Sequence, residues 1–245
     1  MGLFDSVLEE LAKKLGHEIK TPDFIYTCAK HGEVKQFKAD ACEICEREQK
    51  SIIEQREIRF NHRIEHIPQQ YRLSYNVHDR QSHNARKICG DFYKMMAARK
   101  YATLMLCGRH GGGKTHLACA LAISFMRELD LTAKIMTAKQ ILSYVKLAYG
   151  RNDDYLTEAG QIANLVRYDL LLIDEIDAIA WTEKDKELLT EVISERYANR
   201  KPIVAISNRS FEDLSGFLGE RIMSRLAENQ HVAVFDGADY RKRNN

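Results

Sequence analysis

The stretch Gly108-Arg109-His110-Gly111-Gly112-Gly113-Lys114-Thr115 follows an apolar, strand-like run, Tyr101–Cys107, and precedes a segment with helical spacing, His116–Leu129. A glycine-rich turn between a strand and a helix aims backbone N–H groups at an anion, and the positive end of the helix adds to the attraction. The spacing is that of a phosphate-binding loop. Gly108, Gly111, Gly112 and Gly113 let the backbone approach a phosphate chain, Lys114 reaches β- and γ-phosphates, and Thr115 offers its hydroxyl to Mg²⁺. A chance match on a surface turn is the alternative, and the strand before and helix after argue against it.

A second run supports the first. Leu170-Leu171-Leu172-Ile173-Asp174-Glu175 reads as a buried parallel strand ending in two acids. Asp174 is placed to hold Mg²⁺ through water, and Glu175 to orient an attacking water. The alternative is that both acids merely cap the next helix. A third run, Ile203-Val204-Ala205-Ile206-Ser207-Asn208, also ends in polar residues. Asn208 is a candidate contact to the γ-phosphate or to the water, although Asn commonly ends strands. Further on, Arg221 and Arg225 stand one helical turn apart and share a face. An arginine there can stabilise transition-state charge on a neighbouring subunit's nucleotide, or it can be solvated surface.

The chain has 245 residues and a formal net charge of +2, so no global basic field marks a nucleic-acid binder, and any DNA contact must be local. No apolar run reaches transmembrane length and no signal-peptide pattern is visible, which predicts a cytoplasmic protein without a membrane partner. Six cysteines without a secretory signal point to metal binding or core packing rather than disulfides. Cys89, Cys107 and Cys119 lie in apolar helix or strand contexts and read as packing residues.

Residues 1–20 carry a one-sided stripe, including Leu3, Val7, Leu8 and Leu11, and residues 46–66 read as a helix leading to Pro68. Between them, Cys28 and His31 form a CxxH pair and Cys42 and Cys45 a CxxC pair, with ten residues separating the pairs. Two such knuckles supply four ligands suited to tetrahedral Zn²⁺ in a closed, structural site. The alternative is two reduced pairs in a helical hairpin. The predicted domains are 1–66, a zinc-binding and helical module, and 67–245. In the second, Ala85, Ile88, Cys89, Phe92 and Met96 mark an amphipathic helix. Strands and helices then alternate, with strands at 103–107, 133–136, 170–173, 203–206 and 232–235. The predicted class is α/β, a parallel five-stranded sheet between helices.

With Arg59-Phe60-Asn61, Ile67-Pro68, the GRHGGGKTHLA loop, YDLLLIDEID, the Ser207-Asn208 strand end, LGERIMSRL and ADYRKR in order, residues 59–243 resemble an AAA+ P-loop ATPase of the DnaC/IstB family of helicase loaders. The resemblance implies ATP and Mg²⁺, whereas Zn²⁺ is expected from the Cys/His pairs themselves. It implies His116 among the nucleotide contacts, Arg225 as the arginine finger acting in trans ahead of Arg221, and Arg241 as a second sensor. With ten residues after Phe235, it implies a vestigial lid. The implied partners are the replicative DNA helicase hexamer, gripped by the N-terminal module, single-stranded DNA, and further copies of the chain. An IstB-type transposition helper ATPase and a non-hydrolysing ATP-binding adaptor are the alternatives. A Cys/His module departs from the best-known loader, whose N-terminal domain is helical without metal. DNA contacts are least legible: Tyr144, Lys146, Tyr149, Arg151, Trp181 and Lys184 interleave aromatic and basic groups, a pattern suited to single strands, or they are core and solvated surface.

Overall fold

The computed structural model describes residues 24–36, 41–72, 80–148, 157–177 and 182–237. The chain divides into two compact units, with the division between Glu57 and Ile58. In the first, β1 (Phe24–Cys28) and β2 (Gly32–Gln36) form an antiparallel hairpin with Cys28 opposite Gly32. Helix α1 (Glu43–Ile64) follows, and the Cys42 carbonyl accepts from Glu46 N–H at 3.0 Å, so Cys42 is its N-cap. A β-hairpin thus carries the CxxH pair, where the alternative reading has a helical hairpin. Helix α1 ends ahead of Pro68, and its last residues, from Ile58 on, and the 3₁₀ turn Gln69–Tyr71 belong to the second unit.

The second unit holds α2 (Arg80–Ala97), β3 (Thr103–Gly108), α3 (Lys114–Glu128), β4 (Ala133–Thr137), α4 (Ala138–Lys146), α5 (Glu158–Arg167) and β5 (Leu170–Asp174). It continues through α6 (Glu183–Ala198), β6 (Ile203–Ile206), α7 (Phe211–Leu218), α8 (Glu220–Leu226) and β7 (Gln230–Phe235). The sheet order is β4-β5-β6-β3-β7, and every pairing in it is parallel. Period-two alternation divides the strand side chains between two cores. Leu104, Leu106, Leu172 and Val204 join Phe92, Leu117 and Phe125 on the face of α2 and α3. Met105, Leu171, Ile173 and Ala205 join Ile141, Leu189 and Ile222 on the face of α4 to α8. Burial on both faces explains why these strands are continuous apolar runs. Cys89, Cys107 and Cys119 are buried, and burial pushes each thiol up to about 12, as packing residues require.

Capping side chains fix the helix starts. Thr137 with Gln140 and Thr182 with Asp185 form capping boxes at α4 and α6. Arg196 of α6 is wholly buried, and burial lowers its pKa to about 9. Its guanidinium donates to the carbonyls of Leu165 (2.7 Å), Tyr168 (3.0 Å) and Pro202 (2.7 Å), joining the end of α5 to the start of β6. No helix among the described residues is long and apolar enough to cross a membrane.

Candidate nucleotide and metal sites

Parallel strands deliver their C-terminal ends to one edge of the sheet, where ligands of open α/β folds collect. Gly108 ends β3 there, with φ +117°, and Gly113 caps α3 with φ +84°. The loop between them is anchored from both sides. Gly108 N–H donates to the Arg209 carbonyl and Arg109 N–H to the Phe235 carbonyl, each at 2.9 Å. Lys114 is buried, and its ammonium donates to the carbonyls of Gly108 (2.7 Å) and Arg109 (2.6 Å). Thr115, on the first turn of α3, donates through Oγ1 to Asp174 Oδ2 at 3.0 Å. His116 is half-buried with its ring 6.0 Å from that of Tyr71.

Asp174 closes β5. Burial raises its pKa, against the hydrogen bonds from the Thr115 hydroxyl and from Glu175 N–H, and a cation nearby would favour its charged form. Glu175 is exposed, with φ +50°, a conformation that turns the chain sharply out of the strand. Asn208 stands just beyond β6, its N–H shared between both oxygens of Asp177 at 3.3 Å. Asp177 also faces Arg209 Nε at 3.7 Å, and the Arg209 guanidinium lies 4.5 Å from the Phe217 ring centroid. Asp177 is therefore the post that holds the end of β6. Nothing in its own sequence neighbourhood distinguished it from the acids before it.

The structure brings Lys114, Thr115, Asp174, Glu175 and Asn208 to one edge of the sheet. It does not bring Arg225 there. Arg225 lies at the end of α8, where the neighbouring Leu226 carbonyl accepts from Thr103 Oγ1 at 2.5 Å. Thr103 opens β3 and Gly108 closes it, which puts about 17 Å of strand between Arg225's neighbourhood and the loop. Arg225 is half-buried and donates to the Arg221 carbonyl at 2.6 Å, while Arg221 is exposed. Tyr144 is half-buried against the second core, Lys146 pairs with Asp185, and Lys184 is exposed. Arg241, Tyr149, Arg151, Trp181 and the stripe of residues 1–20 lie outside the described residues.

In the first unit, the hairpin turn carries Cys28 and His31, and the start of α1 carries Cys42 and Cys45. Their four ligand atoms lie within 4.8 Å of one another. A zinc tetrahedron with ordinary bond lengths has edges of about 3.8 Å between sulfurs and about 3.6 Å from sulfur to nitrogen. Here Cys28 Sγ is 3.7 Å from Cys45 Sγ, and His31 Nδ1 lies 3.7, 3.6 and 3.4 Å from the sulfurs of Cys28, Cys42 and Cys45. The donor set and its spacing fit the ion. Backbone N–H groups of Lys30 and His31 draw the Cys28 thiol down to about 6, whereas burial and the neighbouring sulfurs push Cys45 up to about 11, so metal binding would have to displace its proton.

The family described as IstB-like ATP binding protein matches residues 27–245. The chain belongs to this family. The replicative helicase loader DnaC of Escherichia coli K12 is 31% identical over 174 residues, spanning 65% of this chain and 68% of the relative. The DnaC of Buchnera aphidicola (subspecies Baizongia pistaciae) is 26% identical over 174 residues, spanning 71% of this chain and 68% of its own. This IstB-like chain is thus homologous to DnaC helicase loaders. Among solved structures, the DnaC helicase loader overlays with a TM-score of 0.60 at 20% identity, covering 69% of this chain and all of that one (100%). A primosome component of Streptococcus pyogenes gives 0.56 at 22% identity, covering 70% and 91%. AMPPCP-bound DnaA of Aquifex aeolicus gives 0.54 at 19%, covering 65% and 48%. These overlays show that the chain shares its fold, a five-stranded parallel sheet between helices, with AAA+ neighbours.

Proposed function

We propose that this chain is an ATPase that loads the replicative DNA helicase onto single-stranded DNA and hydrolyses ATP to control the helicase's release. The meeting of the Thr115 hydroxyl and the Asp174 carboxylate at 3.0 Å, beside the glycine loop, carries the reading. A triphosphate would lie along the loop backbone between Arg109 and Lys114, whose start the Gly108 and Arg109 N–H groups anchor, with Lys114 on its β- and γ-phosphates and His116 alongside. Thr115 and Asp174 would hold Mg²⁺, which when bound offsets charge on the phosphates. Glu175 would orient the attacking water, and Asn208, steadied by Asp177, would contact the water or the γ-phosphate. Arg225 would act on a neighbouring copy, and Arg241 as a second sensor on the nucleotide. Cys28, His31, Cys42 and Cys45 would bind one structural Zn²⁺ in an N-terminal module, residues 1–66, that grips the helicase hexamer; residues 67–245 would form the ATPase domain and self-associate. The setting would be the cytoplasm.

Lys114→Ala should lose ATP binding. Glu175→Gln should bind ATP with near wild-type affinity and hydrolyse it at least tenfold more slowly. The full chain should co-purify with the host's replicative helicase, and a chain lacking residues 1–66 should not. Unchanged turnover in Glu175→Gln would favour a nucleotide-binding adaptor instead. The family match also supports a second reading, a transposition helper. Filaments on duplex DNA that stimulate a transposase, without helicase binding, would favour that one.

A further inference from the structure

We infer that Glu48, held by Lys30, is a positioning residue that sets the ring of His31 for the metal. The inference rests on the zinc reading given above. His31 turns Nδ1 toward all three sulfurs, and its other nitrogen faces the opposite way, with Nε2 3.4 Å from Glu48 Oε1. The second carboxylate oxygen of Glu48 accepts from Lys30 Nζ at 2.5 Å. Lys30 lies between two of the ligands, and its own backbone N–H donates to Cys28 Sγ at 3.4 Å. Glu48 follows Cys45 by three residues on α1, so it rises from the same helix face as that ligand.

The chemistry of imidazole gives this arrangement its purpose. A neutral ring has one N–H and one lone pair, and the lone pair must point at the metal. An acceptor beside Nε2 favours the tautomer with its proton there, leaves Nδ1 free to ligate, and fixes the plane of the ring. Charge favours the pair over a single carboxylate. Three thiolates around a divalent ion leave a net charge of about −1. Glu48 alone would add another negative charge, and Lys30 cancels it. The Lys30 and Glu48 side chains are 66% and 42% exposed, so their ion pair adds little to folding, and its contribution is orientation.

The test uses the full-length protein loaded with zinc and titrated against a competing chelator. Wild type should carry one zinc per chain. Glu48→Ala should weaken zinc retention by about 10- to 100-fold. Glu48→Gln, whose amide oxygen still accepts from Nε2, should recover most of that loss. In ¹⁵N spectra, zinc-loaded His31 should show metal on Nδ1 and a proton on Nε2. Wild-type affinity in Glu48→Ala, equal losses in the two variants, or metal on Nε2 would overturn the assignment. A metal-free wild type would instead remove the zinc reading beneath it, so the two failures are distinguishable.

Discussion

Gly108 sits where no side chain fits. A Cβ there would lie 2.3 Å from the Phe235 carbonyl oxygen and 2.9 Å from its nitrogen, at a φ of +117°. These are backbone atoms of a paired strand, so they cannot swing aside. Gly108→Ala should destabilise the second unit by about 2–4 kcal/mol and abolish ATP binding, because Arg109 N–H loses its seat on Phe235. Gly216 is the control. It lies in α7 with open space around it, and Gly216→Ala should be neutral or stabilising by up to about 1 kcal/mol. Thermal unfolding and nucleotide titration compare the two, and matching behaviour would contradict the close packing. At this scale the sequence was half legible. The glycine spacing located the loop, because the requirement for bare backbone is written in residue type. Its support was not legible: Phe235 acts through its carbonyl, which every residue has. Arg196 was equally hidden, since arginine is ordinarily a surface residue and nothing around it signals a buried guanidinium bound to three carbonyls.

Among the elements, Asp169 does for the lower edge of the sheet what Asp177 does for the upper. Its carboxylate accepts from Thr132 N–H (2.9 Å), Thr132 Oγ1 (2.8 Å) and Lys201 Nζ (3.0 Å), tying the segments that enter β4, β5 and β6. Burial alone would raise its pKa; the hydrogen bonds from Thr132 and Lys201 outweigh burial and hold it below the ordinary carboxylate value. A depressed folded pKa gives stability that is present above the unfolded value, near 4, and lost as pH falls through the folded one. Asp169→Asn should therefore cost about 1–2 kcal/mol at pH 7, and the gap from wild type should shrink below pH 4. Urea unfolding at pH 7 and pH 3 checks this, and an equal gap at both would show that charge is not what binds the strands. Strands and helices were the most legible level. Each buried strand is an unbroken apolar run, because helices cover both faces. The hairpin of the first unit was not read, because β1 and β2 have little apolar alternation and their fold centres on the Cys/His cluster rather than a core.

For the whole molecule, the separation of Arg225 from the loop is the decisive dimension. If Arg225 serves a neighbour, Arg225→Ala should bind ATP normally and hydrolyse it at least tenfold more slowly. Mixing it with Lys114→Ala should restore part of the activity, since an intact loop then meets an intact arginine at some interfaces. Absence of recovery at any ratio would return Arg225 to a structural role. The arginine was legible as a residue, through its place in LGERIMSRL, but its distance from the loop was not, because sequence spacing carries no information about opposite ends of one strand. That distance has an arithmetic consequence. Each copy would bring a socket at one end of its sheet and a plug at the other, joined head to tail. A closed ring of n copies would have n complete centres, whereas an open spiral would have n − 1, with one nucleotide left unattended at its tip. Turnover per chain in an open assembly would then rise with its length, and the terminal copy would hold its ATP longest.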